Sequence, residues 1–384
     1  MSDIQLEPVF SLPSGYRFGE VPSDPTVTHG AGPVPSLGPL TAFTGTFHGN
    51  GFNTIFRPDL GSPTTLPKPA TNDNLLELNL TRETLSFSQA LGRVPNRGEV
   101  QPDAFLNGVP YLQVIQDVTV PSRPVGIHFE PGLWMSMPPT TDPKVHEPTV
   151  FRMASIPHGT TIEAQGTFST VSGPPNIGSR DITPFFIGQP RSKQKFPSQK
   201  ASNGDTTRIP QDLTSFVAAG TITQAMLDDP NTFLRNHIAS QNITSTAVIE
   251  ISTESAVPPF GGGTDNIAFL LGNRAGTNQN ADAVQMEATF WIETVEYSIE
   301  VPAFQPGQPP LTIPAGTGGA GQPAPAFLLN PPIPITAPRS INVTAPQIQY
   351  SQLVLLNFNG LSWPHVSVAT LVPAGPILVP PSAF

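Results

Sequence analysis

Apolar and polar residues alternate with period two along most of this chain, in short runs separated by turn residues. Residues 75–81 read LLELNLT, 111–118 YLQVIQDV, 126–137 GIHFEPGLWMSM, 149–156 TVFRMASI and 160–168 TTIEAQGTF. Similar patterns return at 243–253, 267–271 and 284–300, and two strongly apolar runs, 348–358 and 366–372, close the chain. Period two sends successive side chains to opposite faces of a strand. No helix separates these runs, so a parallel α/β fold is excluded, and the spacing predicts an antiparallel barrel or sandwich. Thr81-Arg82-Glu83 interrupts the second run with polar residues before 84–87 resumes it, which reads as a hairpin or two successive strands. Residues 42–53 alternate small and large side chains around Gly45, Gly49 and Gly51, as suits a first strand that bends sharply or passes close to a ligand. The total is about ten to twelve strands. Pairing of the first with the last is the simplest way to hide the edges.

Other segments break this rhythm. Residues 1–40 hold seven prolines and read as an extended arm, 174–210 as a polar loop, and 302–346 as a second Pro/Gly-rich excursion. Helical signals are confined to 212–241: Asp212 caps a turn through Phe216, Thr223 caps a turn over 224–228, and Asn231 caps a helix carrying Phe233, Leu234, His237 and Ile238. Gly261-Gly262-Gly263-Thr264 reads as a flexible turn. The organisation expected is an arm (1–40), a barrel domain (41–372) with an insertion at 174–241 and a long loop at 302–346, and a tail (373–384).

Composition narrows the class. The 48 prolines and 33 glycines make up about a fifth of the chain, just under the roughly 25–30% that marks low complexity. With 23 Phe and only 12% charged residues, the chain is the opposite of a disordered one. The net charge of −10 and the lack of a dense basic run argue against nucleic acid. There is no Cys, which excludes disulfides, zinc fingers and iron–sulfur clusters. No apolar run is long enough to span a bilayer, and the polar, acidic first residues do not read as a signal peptide, so a cytoplasmic location is expected.

Chemistry then falls to the seven histidines. His29 and His146 lie in loops, and His237 reads as a surface or helix-end residue. His48, His128, His158 and His365 occupy strand or strand-turn contexts. His128 alternates with Ile127 and Phe129 and so faces away from them, and His158 sits in a tight turn between Pro157 and Gly159. On period two, Trp363, His365, Ser367 and Ala369 share one face. Glu77, Glu130, Glu163, Glu250, Glu293 and Glu296 are spread over separate strands, and no HExxH, GxSxG, P-loop or GxGxxG motif occurs.

Thr44-Gly45-Thr46-Phe47-His48-Gly49-Asn50-Gly51 resembles the first-strand signature of the nitrobindin-like heme proteins, which are antiparallel barrels of the calycin type. Phe47 stands where that pattern usually has Trp. Five further phrases resemble a larger family described as heme-binding: 76–81 (LELNLT), 94–98 (VPNRG), 127–134 (IHFEPGLW), 152–161 (RMASIPHGTT) and 357–366 (NFNGLSWPHV). The resemblance spans about residues 40–371, without counterparts for 174–241 and 302–346 in a minimal barrel. It implies an all-β, calycin-like barrel holding heme b, with His365 on the final strand as the metal ligand, since a neutral imidazole suits iron. His158 and His128 become candidates for a distal group, a second axial ligand or a propionate contact. Arg152 and Arg97 become candidate propionate partners, and Trp363 a neighbour of the cofactor. His158 with Arg152 is the pair expected for peroxide cleavage.

The implied function is a histidine-ligated iron handling nitric oxide, peroxynitrite or peroxide, with peroxidase or isomerase-type chemistry. The rivals are a metal-free carrier of an apolar molecule and a structural or assembly protein, in either case with homo-oligomerisation open.

Overall fold

A computed structural model describes residues 32–58, 74–256, 259–273, 279–316 and 322–384, the side chains of 256–260 excepted. The barrel belongs entirely to the compact unit Val34–Phe384. His29 and most of the expected arm lie outside the described residues.

Ten strands carry the fold: β1 (Gly45–Pro58), β2 (Asn74–Phe87), β3 (Ala104–Asp117), β4 (Val125–Met137), β5 (Thr149–Ile156), β6 (Thr160–Ser172), β7 (Asn242–Ser252), β8 (Asp282–Val301), β9 (Arg339–Phe358) and β10 (Leu361–Pro373). Each pairs antiparallel with the next, and β10 pairs with β1 from Phe47↔Pro373 to Thr54↔Val366. The result is a closed up-and-down barrel, in which pairing the terminal strands removes both edges. The barrel expected from sequence is therefore present, and a sandwich is excluded.

Alternation sorts the wall into two faces. Phe47, Phe87, Trp134, Val150, Phe290, Tyr350 and Leu371 point inward, while Phe52, Phe56, Leu76, Leu78, Trp291, Val366 and Val368 belong to a second cluster on the outer wall. The insertion covers that outer cluster with α1 (Thr214–Ala219), α2 (Gln224–Asp228) and α3 (Thr232–Ile238), contributing Leu213, Met226, Leu227 and Leu234. One expected cap forms, with Thr223 Oγ1 accepting from the Met226 amide at 3.3 Å, whereas Asp212 accepts from the Thr214 amide at 2.8 Å but lies one residue before the N-cap of α1, Leu213. Asn231 does not cap α3; its amide donates to the Gly178 carbonyl instead.

One end of the barrel is plugged. A 3-10 turn, Gly38–Ala42, brings Leu40 and Phe43 against the inner cluster. Phe43 stacks on Phe87 with centroids 4.6 Å apart and meets Trp134 edge-on at 5.5 Å. The opposite end carries, among the described residues, the hairpin tips after β3, β5 and β9.

Four expectations change. Thr81-Arg82-Glu83 is no break, because β2 is continuous and Thr81 and Glu83 face inward. Residues 267–271 form a single helical turn, α4 (Ala268–Leu271), rather than a strand. Gly263–Asn266 is a strand paired with Thr160–Glu163 of β6, not a flexible turn. The tail is also tied down: Phe327 and Leu328, in the second excursion, pair in parallel with Ile377 and Leu378.

Candidate functional site

The lumen is divided by a polar layer that no local motif announces. Arg152, on β5 and 1% exposed, donates from Nε to the Tyr111 hydroxyl and from one terminal nitrogen to Gln352 Oε1, both at 2.7 Å. Its other terminal nitrogen pairs with Glu130 Oε1, which also accepts from the Tyr111 hydroxyl. Beside this set, Glu83 Oε2 accepts from Tyr350 at 2.6 Å and Gln113 at 3.2 Å, and its Oε1 from Thr81 at 2.9 Å. The Arg152–Gln352 bond crosses the lumen from β5 to β9. The guanidinium rests on the rings of Tyr111, Trp134 and Phe290, 5.4–5.7 Å from each centroid.

Burial would raise the Glu130 carboxyl, but the Arg152 guanidinium and His128 outweigh it and hold it at about 2. Burial also pushes Glu83 up, and its hydrogen bonds only partly offset this. The layer is thus one ion pair, one carboxyl shifted toward its neutral form, and neutral partners. Two inward glycines make room for it. A Cβ on Gly132 would lie 2.4 Å from the Tyr111 ring, and one on Gly51 would lie 2.7 Å from Glu83 Oε1. The close approach expected of the first-strand glycines is therefore to the protein's own residues: Gly51 meets this layer, and Gly49 passes the β10 backbone.

Above this floor stand the three histidines. His365 faces inward on β10 with Ser367. Its Nε2 accepts from Asn53 Nδ2 at 2.7 Å, the same amide donates to Ser367 Oγ at 2.7 Å, and Asn79 Nδ2 donates to Asn53 Oδ1 at 3.3 Å. Burial, with His128 and His158 adding to it, pushes the His365 imidazole down to about 3, so it is neutral at any ordinary pH. His128 lies 3.0 Å from Glu130 Oε2, and its ring centroid is 6.3 Å from that of His158 in the β5–β6 turn. Burial and His128 lower the His158 imidazole as well. His365, Ser367 and Gln352 are only half-buried although they face inward. Among the described residues, side chains therefore do not fill the lumen above the floor completely.

The structure thus unites His128, His158 and His365 in one chamber and separates the other candidates from it. Arg152 is in the floor with every nitrogen engaged, so it is not available to a propionate and does not form a pair with His158. Arg97 is an exposed surface residue paired with Asp103. Trp363 does not share the lumen with His365: β10 leaves β1 above Val366, and the indole fills that split, stacked on Phe358 at 4.8 Å and packed by Phe56 and Phe196. His48 and His146 are exposed. Among the described residues no group of three His, Cys, Asp or Glu side chains is placed to hold a metal ion, so the three histidines are not a ligand set by themselves. A surface groove of about 530 Å³ lies on the outer face of β4–β6, along Leu133, Met153 and Glu163, and contains none of them.

A second buried polar cluster occupies the outer wall beneath α3. Gln241 and Gln347 exchange two hydrogen bonds, at 2.8 and 3.0 Å, and Gln347 donates to Glu293 Oε2 at 2.6 Å. Gln349 donates to the Leu234 carbonyl and to Thr370 Oγ1. Glu293 Oε1, Gln349 Oε1, Ser351 Oγ and His237 Nε2 are buried with no hydrogen-bond partner among the described residues. Burial pushes Glu293 up to about 8 and His237 down to about 4. His237 is therefore a core residue, 4% exposed, rather than a surface one.

No protein-family model and no curated protein matches the chain. A solved structure, that of Rv2717c from M. tuberculosis, aligns at 11% identity over 90% of this chain and 100% of its own, with a TM-score of 0.34. No helix among the described residues is long and apolar enough to cross a membrane.

Proposed function

We propose that the chamber binds a small molecule and that this molecule is heme, with His365 as the axial ligand. The observation that carries the reading is His365 itself: a neutral imidazole facing inward on the last barrel strand, beside Ser367. Neutral imidazole is the form that coordinates iron. Because Nε2 already accepts from Asn53, ligation through that nitrogen requires the Asn53 amide to turn away. Heme, when bound, would supply an iron able to take diatomic or peroxide ligands. The chain's own residues have separable tasks. Asn53 and Ser367 orient His365, and the floor seals the lumen from the apolar plug. Glu130 accepts from His128 Nε2–H, which leaves His128 Nδ1 to take or give a proton. In this arrangement His128, not His158 with Arg152, is the acid–base group.

The absorption spectrum of heme-reconstituted protein tests this. A Soret band that shifts or disappears in His365→Ala is expected, and no band, or one indifferent to the substitution, rejects heme. The Asn53 contact favours one alternative, a metal-free carrier in which His365 only hydrogen-bonds. Native mass spectrometry recovering a metal-free organic molecule would establish that reading.

A further inference from the structure

We infer that the Gln352 amide is a fixed hydrogen-bond donor in the chamber, and that the ligand received there carries a carbonyl-type oxygen. The inference rests on the reading of the lumen as a ligand site, not on the presence of heme, and it names the chemical group bound. An amide side chain ordinarily turns to suit its neighbours, since its oxygen accepts and its nitrogen donates. Gln352 has no such freedom. A guanidinium carries donors only, so the 2.7 Å contact with Arg152 is made by Gln352 Oε1. Arg152 is itself held in place by Tyr111 and Glu130. The amide nitrogen is therefore turned away from the guanidinium.

That nitrogen can be approached. No hydrogen bond joins Gln352 Nε2 to another described residue, yet it is not among the atoms that are both buried and unpartnered, as Ser351 Oγ on the outer face of the same strand is. The register sets Gln352 opposite Ala288 on β8 and Ser367 on β10. The Ala288 methyl leaves room on one side. On the other, Ser367 Oγ accepts from Asn53 Nδ2 at 2.7 Å, so its own hydrogen is left to donate, to His365 Nε2 at 3.4 Å or to a ligand. Side chains directly opposite on neighbouring strands have Cβ atoms about 4.5–5.5 Å apart, so these N–H and O–H groups serve the same space. A donor whose water is displaced without a new acceptor loses a hydrogen bond. An occupant bearing a carbonyl oxygen is thus favoured over one of the same shape without it.

Two metal-free probes of matched shape test this: acetophenone, labelled with carbon-13 at the carbonyl, and ethylbenzene. Binding is followed by NMR of the Val354 methyls, because Val354 lies inward opposite His365. Gln352→Glu keeps an acceptor for Arg152 and replaces the donor by a second oxygen. It is expected to weaken acetophenone by about fivefold while leaving ethylbenzene unchanged. The bound carbonyl resonance is expected near its position in water with the wild type, and upfield, toward its position in hydrocarbon, with the variant. Gln352→Met, which removes the donor without adding a charge, should give the same two results. If neither variant folds, the wild-type resonance decides alone. A wild-type carbonyl at its hydrocarbon position, or an equal effect of the substitutions on both probes, would overturn the inference and leave the chamber a ligand site. Failure of both probes to perturb the Val354 methyls would overturn that reading and the inference together.

Discussion

The barrel wall buries polar side chains on both faces, and the two sets are built differently. On the inside, Arg152, Glu130, Tyr111, Glu83, Tyr350 and Gln113 satisfy one another across five strands, and the Arg152 charge is paired with the Glu130 carboxylate. On the outside, beneath α3, Glu293, Gln349, Ser351 and His237 each keep a buried atom without a partner among the described residues. A closed network in a low-dielectric interior is stiff and specifies one arrangement, whereas every orphaned atom costs its own desolvation. The inner layer can serve as the fixed floor of a site. The outer cluster is a stored instability.

Breaking the inner network should therefore cost most. Arg152→Met strands the Glu130 carboxylate in the interior, and denaturant titration should show a loss of about 3–5 kcal/mol. Tyr350→Phe removes a single donor to Glu83 and should cost about 1–3 kcal/mol in the same measurement. The outer cluster should respond to pH instead. The folded-state pKa of Glu293 lies near 8, above its unfolded value, so the carboxyl is protonated in the native protein. Its contribution is complete below pH ~4.5 and is lost as pH rises toward 8, with a slope of at most about 1.4 kcal/mol per pH unit. Melting curves at stepped pH should show that slope in the wild type and a flatter one in Glu293→Gln. The smallest effect is expected at Ser351, whose hydroxyl has no partner: Ser351→Ala should lie within about 0.5 kcal/mol of wild type, or stabilise. A loss as large as that of Tyr350→Phe would show that the two faces are alike in how their polar groups are held.

Much of the fold was readable because each strand pairs with its neighbour in sequence, so alternation and short turns carry most of the topology. Closure was inferred correctly from the need to hide edges. One misreading has a clear cause. Thr81-Arg82-Glu83 looked like a loop because it is polar, yet Thr81 and Glu83 are inward residues of a continuous strand whose lumen happens to be polar at that height. Periodicity reports which side chains share a face but not whether that face is dry. His128, His158 and His365 were singled out from their strand contexts and from family resemblance, and the structure places them together. The floor was missed because its members come one or two per strand from β2, β3, β4, β5 and β9. Only the fold sets them at one level. Trp363 misled for a related reason: alternation continues through it, but the wall splits at Val366, and neighbours from the insertion claim the ring.

The seam between β1 and β10 has a consequence for how the chamber is assembled on the ribosome. Nine of the ten strand pairings join neighbours in the chain and can form as the polypeptide emerges. The tenth cannot: β1 must wait, with one edge unpaired, until the last barrel strand has been synthesised. The Asn53–His365 contact straddles that seam. The histidine side of the chamber is thus completed last, so a nascent chain cannot position His365 before the whole barrel exists, and any shortening of the chain before β10 abolishes the site at its origin.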